Sequence, residues 1–279
     1  MAESHSYLYC EKHHYPYFED YIKTFIDKLG LILVIVDSVN LIGYGQTDTY
    51  FFISKIPQCV LAGNPIKAIY INMEQLTRRC FLDYVQVIKS RNIPIFNYNE
   101  TNQQIIPESL LLRYQYLPEE VAILSSHPVE KTYDVAFVGL LSQKRALILN
   151  QLKGAGLRVV NIEGWGSKRD QEILQAKILV NIHYDNEYNI YESLRCDRLI
   201  FGRMIVITET SIHQELLDIK EFFISVEYSE LVAKVQEVLA NYQYYIERLT
   251  SSREKLLPSI IESRQTDLLQ IKSLMLKLQ

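Results

Sequence analysis

The sequence predicts an α/β protein made of two successive units, each a series of short buried strands alternating with helices. Three observations carry this. Runs of aliphatic and β-branched residues, such as Leu31-Ile32-Leu33-Val34-Ile35-Val36, recur between stretches of helical periodicity. The series halts in a turn-rich stretch, then restarts with the apolar run Val135-Ala136-Phe137-Val138. The length of 279 residues is long for a single core, and it suffices for two compact units of about 120 residues each.

In the first unit, residues 19–28 place Tyr21, Ile22, Phe25 and Ile26 at helical spacing, and Gly30 supplies a stop. The run 31–36 reads as a strand buried on both faces, as in a parallel sheet, and it ends at Asp37. Residues 50–56 and 68–71 repeat the strand pattern. Residues 73–90 read as the helix between strands, and 93–96 as a further strand after an Asn-Ile-Pro turn. Residues 97–108 are polar and read as a break, while 110–116 turn apolar again. The turn-rich 125–132 is taken as the linker, which gives a first domain of 1–124.

The second unit opens with a strand over 134–139 that feeds Gly139. A helix over 144–152, a strand over 158–162, the loop Gly164-Trp165-Gly166 and a short helix over 170–176 follow. Then come a strand over 177–182, a helix over 192–201 and a strand over 204–207. From Glu230 the pattern is helical, and Val232, Val235, Val238, Leu239, Tyr242, Tyr245 and Ile246 share a face. Pro258 is expected to break or bend that helix. These boundaries give a second domain of 133–258 and a C-terminal helix of 259–279.

Composition narrows the class. With 48% hydrophobic and 22% charged residues the chain is globular, and a net charge of −4 of mixed sign gives no basic surface for nucleic acid. Cys10, Cys59, Cys80 and Cys196 form no CxxC and no regular spacing. They read as reduced thiols, without a disulfide framework or a zinc site. His13 and His14 read as a surface turn, and no metal is expected. The opening residues lack a signal-peptide pattern, and every apolar run is too short to span a bilayer. A soluble, cytoplasmic protein is expected.

Ligands of open α/β sheets sit beyond the carboxyl ends of strands, so two such units predict chemistry at a cleft. Three stretches qualify. In Gly139-Leu140-Leu141-Ser142-Gln143-Lys144-Arg145 a strand ends in glycine shortly before a helix. Ser142 can cap that helix or donate to a phosphate, and Lys144 and Arg145 add charge. Neither GxGxxG nor GxxxxGK[ST] is present. Gly164 and Gly166 flank Trp165, the only tryptophan, in a loop suited to close approach or to an ordinary glycine turn. The densest stretch runs from Asn181, His183 and Tyr184 to Tyr191, Glu192, Arg195 and Arg198. There a carboxylate can accept from ribose hydroxyls, and guanidiniums three residues apart can meet phosphates. A hydrogen-bonded structural His183 and a plain Glu–Arg helix pair are the bland alternatives.

Residues 133–211, with YDVAFVG, GWG, AKILVNIHY and YESLRCDRLIFGRMIVITETS in that order, resemble the C-terminal half of GT-B-like glycosyltransferases. Ile71-Asn72-Met73-Glu74-Gln75-Leu76 is similar to a first-domain segment of related proteins, often of large DNA viruses. The resemblance implies two Rossmann-like domains facing a cleft, with the last helix returning to the first. It implies transfer of a sugar from a UDP- or GDP-linked donor to a glycan hydroxyl, with no further cofactor and no metal, in the host cytoplasm if the source is viral. It would set Gly139 against the diphosphate or sugar, Lys144 or Arg145 near phosphate, Glu192 on the ribose, and Asn181 and His183 at the base or sugar. The second glutamate of the E-x7-E signature of retaining members is absent, since Ile200 stands there. An inverting base would come from the first domain. Asp37 is the first candidate and Glu74 the second, with His13 and His14 behind them, although Asp37 equally reads as a turn cap. A non-catalytic nucleotide- or glycan-binding scaffold is the alternative reading. A two-domain sensor lacks the acidic cluster it would need.

Overall fold

The computed structural model describes residues 4–125 and 130–278, so part of the expected linker, 126–129, lies outside the described residues. The chain divides into two compact units. Met1–Gln115 and Glu262–Gln279 form the first, and Tyr116–Ile261 forms the second.

In the first unit the elements run β1 (Ser6–Glu11), α1 (Tyr15–Leu29), β2 (Ile32–Val36), β3 (Thr49–Ile53), α2 (Gln58–Leu61), β4 (Lys67–Asn72), α3 (Arg79–Ser90), β5 (Ile95–Asn97), α4 (Glu100–Ile105) and β6 (Leu110–Leu111). They build a six-stranded sheet in the order β2-β1-β3-β4-β5-β6, with every pairing parallel. The register sets Tyr7 beside both Ile32 and Tyr50, so β1 is an interior strand. The sequence reading passed over β1, because tyrosines and a cysteine fill it instead of an aliphatic run. Conversely, 31–36 is not buried on both faces. β2 is the sheet's edge, with Ile32 and Ile35 exposed. α1 carries Pro16 in its first turn, turns Tyr21, Ile22, Phe25 and Leu29 inward, and ends on Gly30 at φ 66°, a left-handed cap that glycine adopts without steric cost.

The polar stretch 97–108 is not a break. Asn99 caps α4 by accepting from Asn102 N (2.9 Å), and Asn72 donates to Asn97 Oδ1 (2.8 Å). Asn97 in turn donates to Ser109 Oγ (2.7 Å). All five side chains are buried, and apart from Asn99 Nδ2 their polar atoms find partners within the protein.

The second unit contains α5 (Pro118–Ser125), β7 (Tyr133–Val138), α6 (Gln143–Gly154), β8 (Val159–Ile162), α7 (Gly166–Leu174), β9 (Ala176–Asn181), α8 (Ser193–Phe201), β10 (Ile205–Glu209), β11 (Ile224–Val226) and α9 (Leu231–Ala240). Its parallel sheet has the order β11-β10-β9-β7-β8. The sequence reading missed β11, a strand of only three residues. Val135, Phe137, Ile178, Val180, Ile205 and Ile207 point to the face that Val235 and Val238 of α9 cover.

The last element, α10 (Tyr242–Leu278), is one helix of 37 residues that runs through Pro258, so the break that was one of the two expected outcomes does not occur. Proline has no N–H, so the Glu254 carbonyl loses its helical partner there, but one lost bond in so long a helix is tolerated. Residues up to 261 belong to the second unit, and those from 262 to the first. In the first unit the buried Arg113 holds the helix end: it donates to Asp267 Oδ2 (2.8 Å), Ser263 Oγ (3.0 Å) and Glu100 Oε1 (2.9 Å). Arg264, also buried, donates to the Tyr114 carbonyl.

Truncating one member of a buried ionic network leaves the others charged and unpaired, at a cost of about 3–5 kcal/mol. Arg113→Ala should lose that much stability in urea unfolding, whereas the exposed i,i+4 pair partner Arg79→Ala should change it by under about 0.5 kcal/mol.

Candidate functional site

In the second sheet the chain leaves β7 towards β8 on one side and reaches β9 on the other. Adjacent connections therefore part above the carboxyl ends of β7 and β9, which opens a crevice there. Gly139 follows β7, and Asn181 closes β9.

Gly139 has φ 132°, a conformation that L side chains rarely adopt. A β-carbon at this position would lie 3.1 Å from Arg195 Nη2 and 3.6 Å from Arg145 Nη1. Two guanidiniums thus converge on the bare backbone of Gly139, and both backbone conformation and space demand glycine. The sequence-based expectation set a ligand against this glycine. Among the described residues, the arginines are what stand beside it.

Arg145 sits in the first turn of α6, whose N-cap Ser142 accepts from Arg145 N (3.3 Å). The Arg145 side chain is 2% exposed. It donates from Nε to Ile182 O (2.8 Å) and from Nη1 to Leu140 O (2.8 Å), and its guanidinium lies over the rings of Phe137 and Tyr184. Burial and the neighbouring Arg195 pull its pKa down to about 10, against the Glu192 carboxylate, so it stays charged at neutral pH. Arg195, from α8, donates from Nη1 to Asn181 Oδ1 (2.9 Å), and Asn181 is braced by donating to Thr208 Oγ1 (2.9 Å). Asn181 is fully buried and occupied in holding Arg195.

Glu209, at the end of β10, was not singled out in the sequence, since nothing in ITETS marks it. Its carboxylate meets Lys144 Nζ at 2.5 Å and accepts from His183 N (3.0 Å). Lys144 is thereby paired within the protein, and its ammonium also lies over Tyr228. His183 is buried, and its Nε2 is 3.2 Å from Thr210 O and 3.2 Å from Ser211 Oγ. A bond to the carbonyl assigns the proton to Nε2, which leaves Nδ1 a buried acceptor without a partner. Burial lowers the His183 pKa and keeps the ring neutral. Ser142, Lys144, Tyr184, Asn186, Glu209 and Tyr228 line a cavity of about 720 Å³.

The remaining candidates are more scattered. Glu192 occupies the N-cap position of α8, where its carbonyl accepts from Arg195 N and Cys196 N, and its charge acts on both Arg145 and His183. Tyr191 is a core residue, 1% exposed and stacked on Phe223. Gly164 (φ 91°) and Trp165 follow β8, next to β7. Trp165 is 44% exposed, with Arg169 over its ring. The Arg198 guanidinium is held by Asp170 Oδ2 (2.6 Å) and Glu120 Oε2 (3.9 Å).

In the first unit Asp37 is exposed after the edge strand β2, and the capping role falls to Ser38, which accepts from Asn40 N. Glu74 follows β4, with its backbone held by Asn72 and Asn102. His13 and His14 are not a plain surface turn. They close on the buried Glu11, with one ligand atom from each residue within 4.8 Å of the others. Lys55 Nζ, 3.3 Å from Glu11 Oε1, already neutralises that carboxylate. Against the cost of burial, the Val39 amide and Lys55 hold the Glu11 pKa below the usual carboxylate range.

Protein L140 of Acanthamoeba polyphaga mimivirus is 34% identical over 255 residues, covering 87% of this chain and 83% of that protein. The chain belongs to the same family as L140. Mimivirus protein R358 is 30% identical over 254 residues, 85% of this chain and 89% of its own length. Mimivirus protein L137 is 33% identical, but the chain spans only 35% of its length. No family model matches the chain. Among solved structures, the glycotransferase of kitacinnamycin matches over 100% of both chains with TM-score 0.50 and 10% identity, a likeness of fold. An α1,3-fucosyltransferase with GDP-fucose covers 89% of this chain and 83% of its own, at 11% identity and TM-score 0.47. The fold is thus that of a GT-B glycosyltransferase, built of two parallel α/β units. Among the described residues, no helix is long and apolar enough to cross a membrane.

Gly139→Ala imposes both a strained φ and a contact with the Arg195 guanidinium. A loss of about 1–3 kcal/mol is expected in urea unfolding. Gly154→Ala, where no atom lies within 4 Å and the position is helical, should leave stability unchanged or slightly raised.

Proposed function

We propose that the chain is a glycosyltransferase that binds a UDP- or GDP-linked sugar in its second unit and transfers the sugar to a glycan hydroxyl. The convergence of Arg145 and Arg195 on Gly139 carries this reading. Two like charges held together at the carboxyl edge of a parallel sheet repel each other until an anion lies between them. A diphosphate matches the forked donors of two guanidiniums, and the bare Gly139 backbone lets those guanidiniums converge. The likeness of fold to a glycotransferase supports the same assignment.

In this reading Arg195 and Arg145 stabilise the departing nucleoside diphosphate, which is where charge develops as the glycosidic bond breaks. Lys144, held by Glu209, flanks the leaving group, and Ser142 fixes the start of α6 beneath it. Glu192 accepts from the ribose hydroxyls. The exposed faces of Trp165 and Tyr184 offer stacking surfaces for base or sugar. Asn181 positions Arg195, and His183 Nδ1 is an acceptor for a donor hydroxyl. Gly164 lets the loop after β8 turn close to the ligand. Tyr191 supports the start of α8 from the core. Guanidiniums supply the positive charge, so the reaction is assigned no metal or further cofactor. The two carboxylates named as an inverting base, Asp37 and Glu74, each line a cavity; Glu74 is favoured because it is half-buried whereas Asp37 is exposed. The mimivirus relatives and the free thiols are consistent with action in the cytoplasm of a host cell.

Thermal unfolding with UDP, GDP and their sugars tests the donor site. Saturating ligand at about 100 times Kd adds about 2.7 kcal/mol and should raise Tm by a few degrees. Arg195→Ala should weaken that binding about 10–100-fold, as befits loss of a charge-assisted hydrogen bond. No shift with any nucleotide removes the donor site, whereas nucleotide binding without sugar transfer or hydrolysis makes the protein a scaffold.

A further inference from the structure

The first sheet repeats the topology that makes the site in the second. The chain leaves β1 towards β2 on one side and reaches β3 on the other, so its connections part above the carboxyl ends of β1 and β3. A cavity of about 300 Å³ opens there, walled by His14 after β1, Ser54 after β3, Asn72 and Glu74 at the end of β4, and Phe81 and Tyr84 of α3. Its size lies at the lower end of the range for small-molecule sites, about 300–1,000 Å³, which suits a single ring.

Two features of its wall go unused by the fold. His14 Nδ1 and Ser54 Oγ are buried and have no hydrogen-bond partner. Buried polar atoms are ordinarily satisfied, and the neighbouring Asn72 shows the norm: its amide donates to Glu74 O and Asn97 Oδ1 and accepts from Glu74 N. Ser54 is also held at φ 65°, a left-handed conformation that costs a non-glycine residue energy. Its backbone is fixed on both sides, since Ser54 N donates to Ile71 O and Tyr70 OH donates to Ser54 O. The strained conformation thus holds a buried hydroxyl with no internal partner beside the cavity. Burial and the neighbouring His13 lower the His14 pKa, so its ring is neutral and able to accept or donate. Aromatic rings complete the wall. Tyr84 makes an edge contact with Tyr70 and spends its hydroxyl on Ile56 N (3.0 Å), and Phe81 adds a second ring.

We propose that this cavity binds one sugar ring, with Ser54 Oγ and His14 Nδ1 hydrogen-bonding its hydroxyls and the α3 aromatics covering its apolar face. An aromatic wall beside unsatisfied neutral polar groups fits a polyhydroxylated, uncharged ligand. An anion would sit against the Glu74 carboxylate, and an apolar ligand would leave both orphaned atoms unpaired. That the ring belongs to the acceptor rests on the transferase reading; occupancy of the cavity does not.

Saturation-transfer NMR with methyl glycosides of glucose, galactose, mannose, rhamnose and N-acetylglucosamine, at millimolar concentration, tests it on the whole chain. At least one should receive saturation from the protein. Ser54→Gly removes the hydroxyl while relieving the strained φ, so the fold is retained. It should weaken the bound glycoside about 2–10-fold, as should His14→Ala. Transfer to none of the five, or affinity unchanged in either variant, overturns the assignment. Nucleotide binding, read separately by thermal unfolding, should be the same in both variants, so the sugar cavity and the donor site stand or fall independently.

Discussion

Parallel pairing obliges every strand of a sheet to finish at the same edge, and each of the two sheets obeys it without exception among the described strands. Helical crossovers then bury both faces of the interior strands, so chemistry is left only that edge. In both units the first strand has its successors on opposite sides, and the crevice this creates is where the unusual features gather. Gly139, Arg145, Arg195 and Asn181 meet in one sheet, and His14, Ser54 and Glu11 in the other. Topology sets where the groups meet, and side-chain chemistry sets what they hold.

The second crevice shows how a buried cation is kept in place. Arg145 is removed from water, yet two backbone carbonyls and two aromatic faces take up its charge, and α6 starts on a serine cap beneath it. Arg195 is aimed from the other side by the Thr208–Asn181 relay. In the transferase reading, charges fixed before a ligand arrives need not reorganise when it does. Lys144 and Glu209 form a paired counterpart on the rim, whereas Arg198 belongs to the scaffold through Asp170 and Glu120.

Much of this order was legible from residue patterns. The second unit's strands and helices follow aliphatic runs that period and turn signals delimit, and Gly139, Arg145 and Arg195 stood out by charge and position. What escaped had physical reasons. β1 carries tyrosines where an aliphatic run was sought, so Glu11 at its end went unseen. β2 is aliphatic although it is an edge, and the asparagine-rich 97–108 is polar although it is buried. Propensity reports what a side chain prefers on average, whereas hydrogen bonding among Asn72, Asn97, Asn99, Asn102 and Ser109 depends on residues that meet only after folding. Glu209 escaped likewise, because its partners Lys144 and His183 lie 65 and 26 positions away. The same holds for Tyr191 and Asn181, whose types suit a ligand but whose surroundings make one a core ring and the other a brace.

The first unit is discontinuous in sequence. It takes residues from both ends of the chain, and the second unit is a single continuous stretch between them. On a ribosome the order of completion follows from that. Arg113 and Glu100 emerge long before Asp267 and Ser263 exist to meet them. Until then the first unit carries a buried-site guanidinium with part of its partners missing and an uncovered surface where the helix end will lie. Its exposure to chaperones and proteases during synthesis is therefore set by the time needed to translate everything in between.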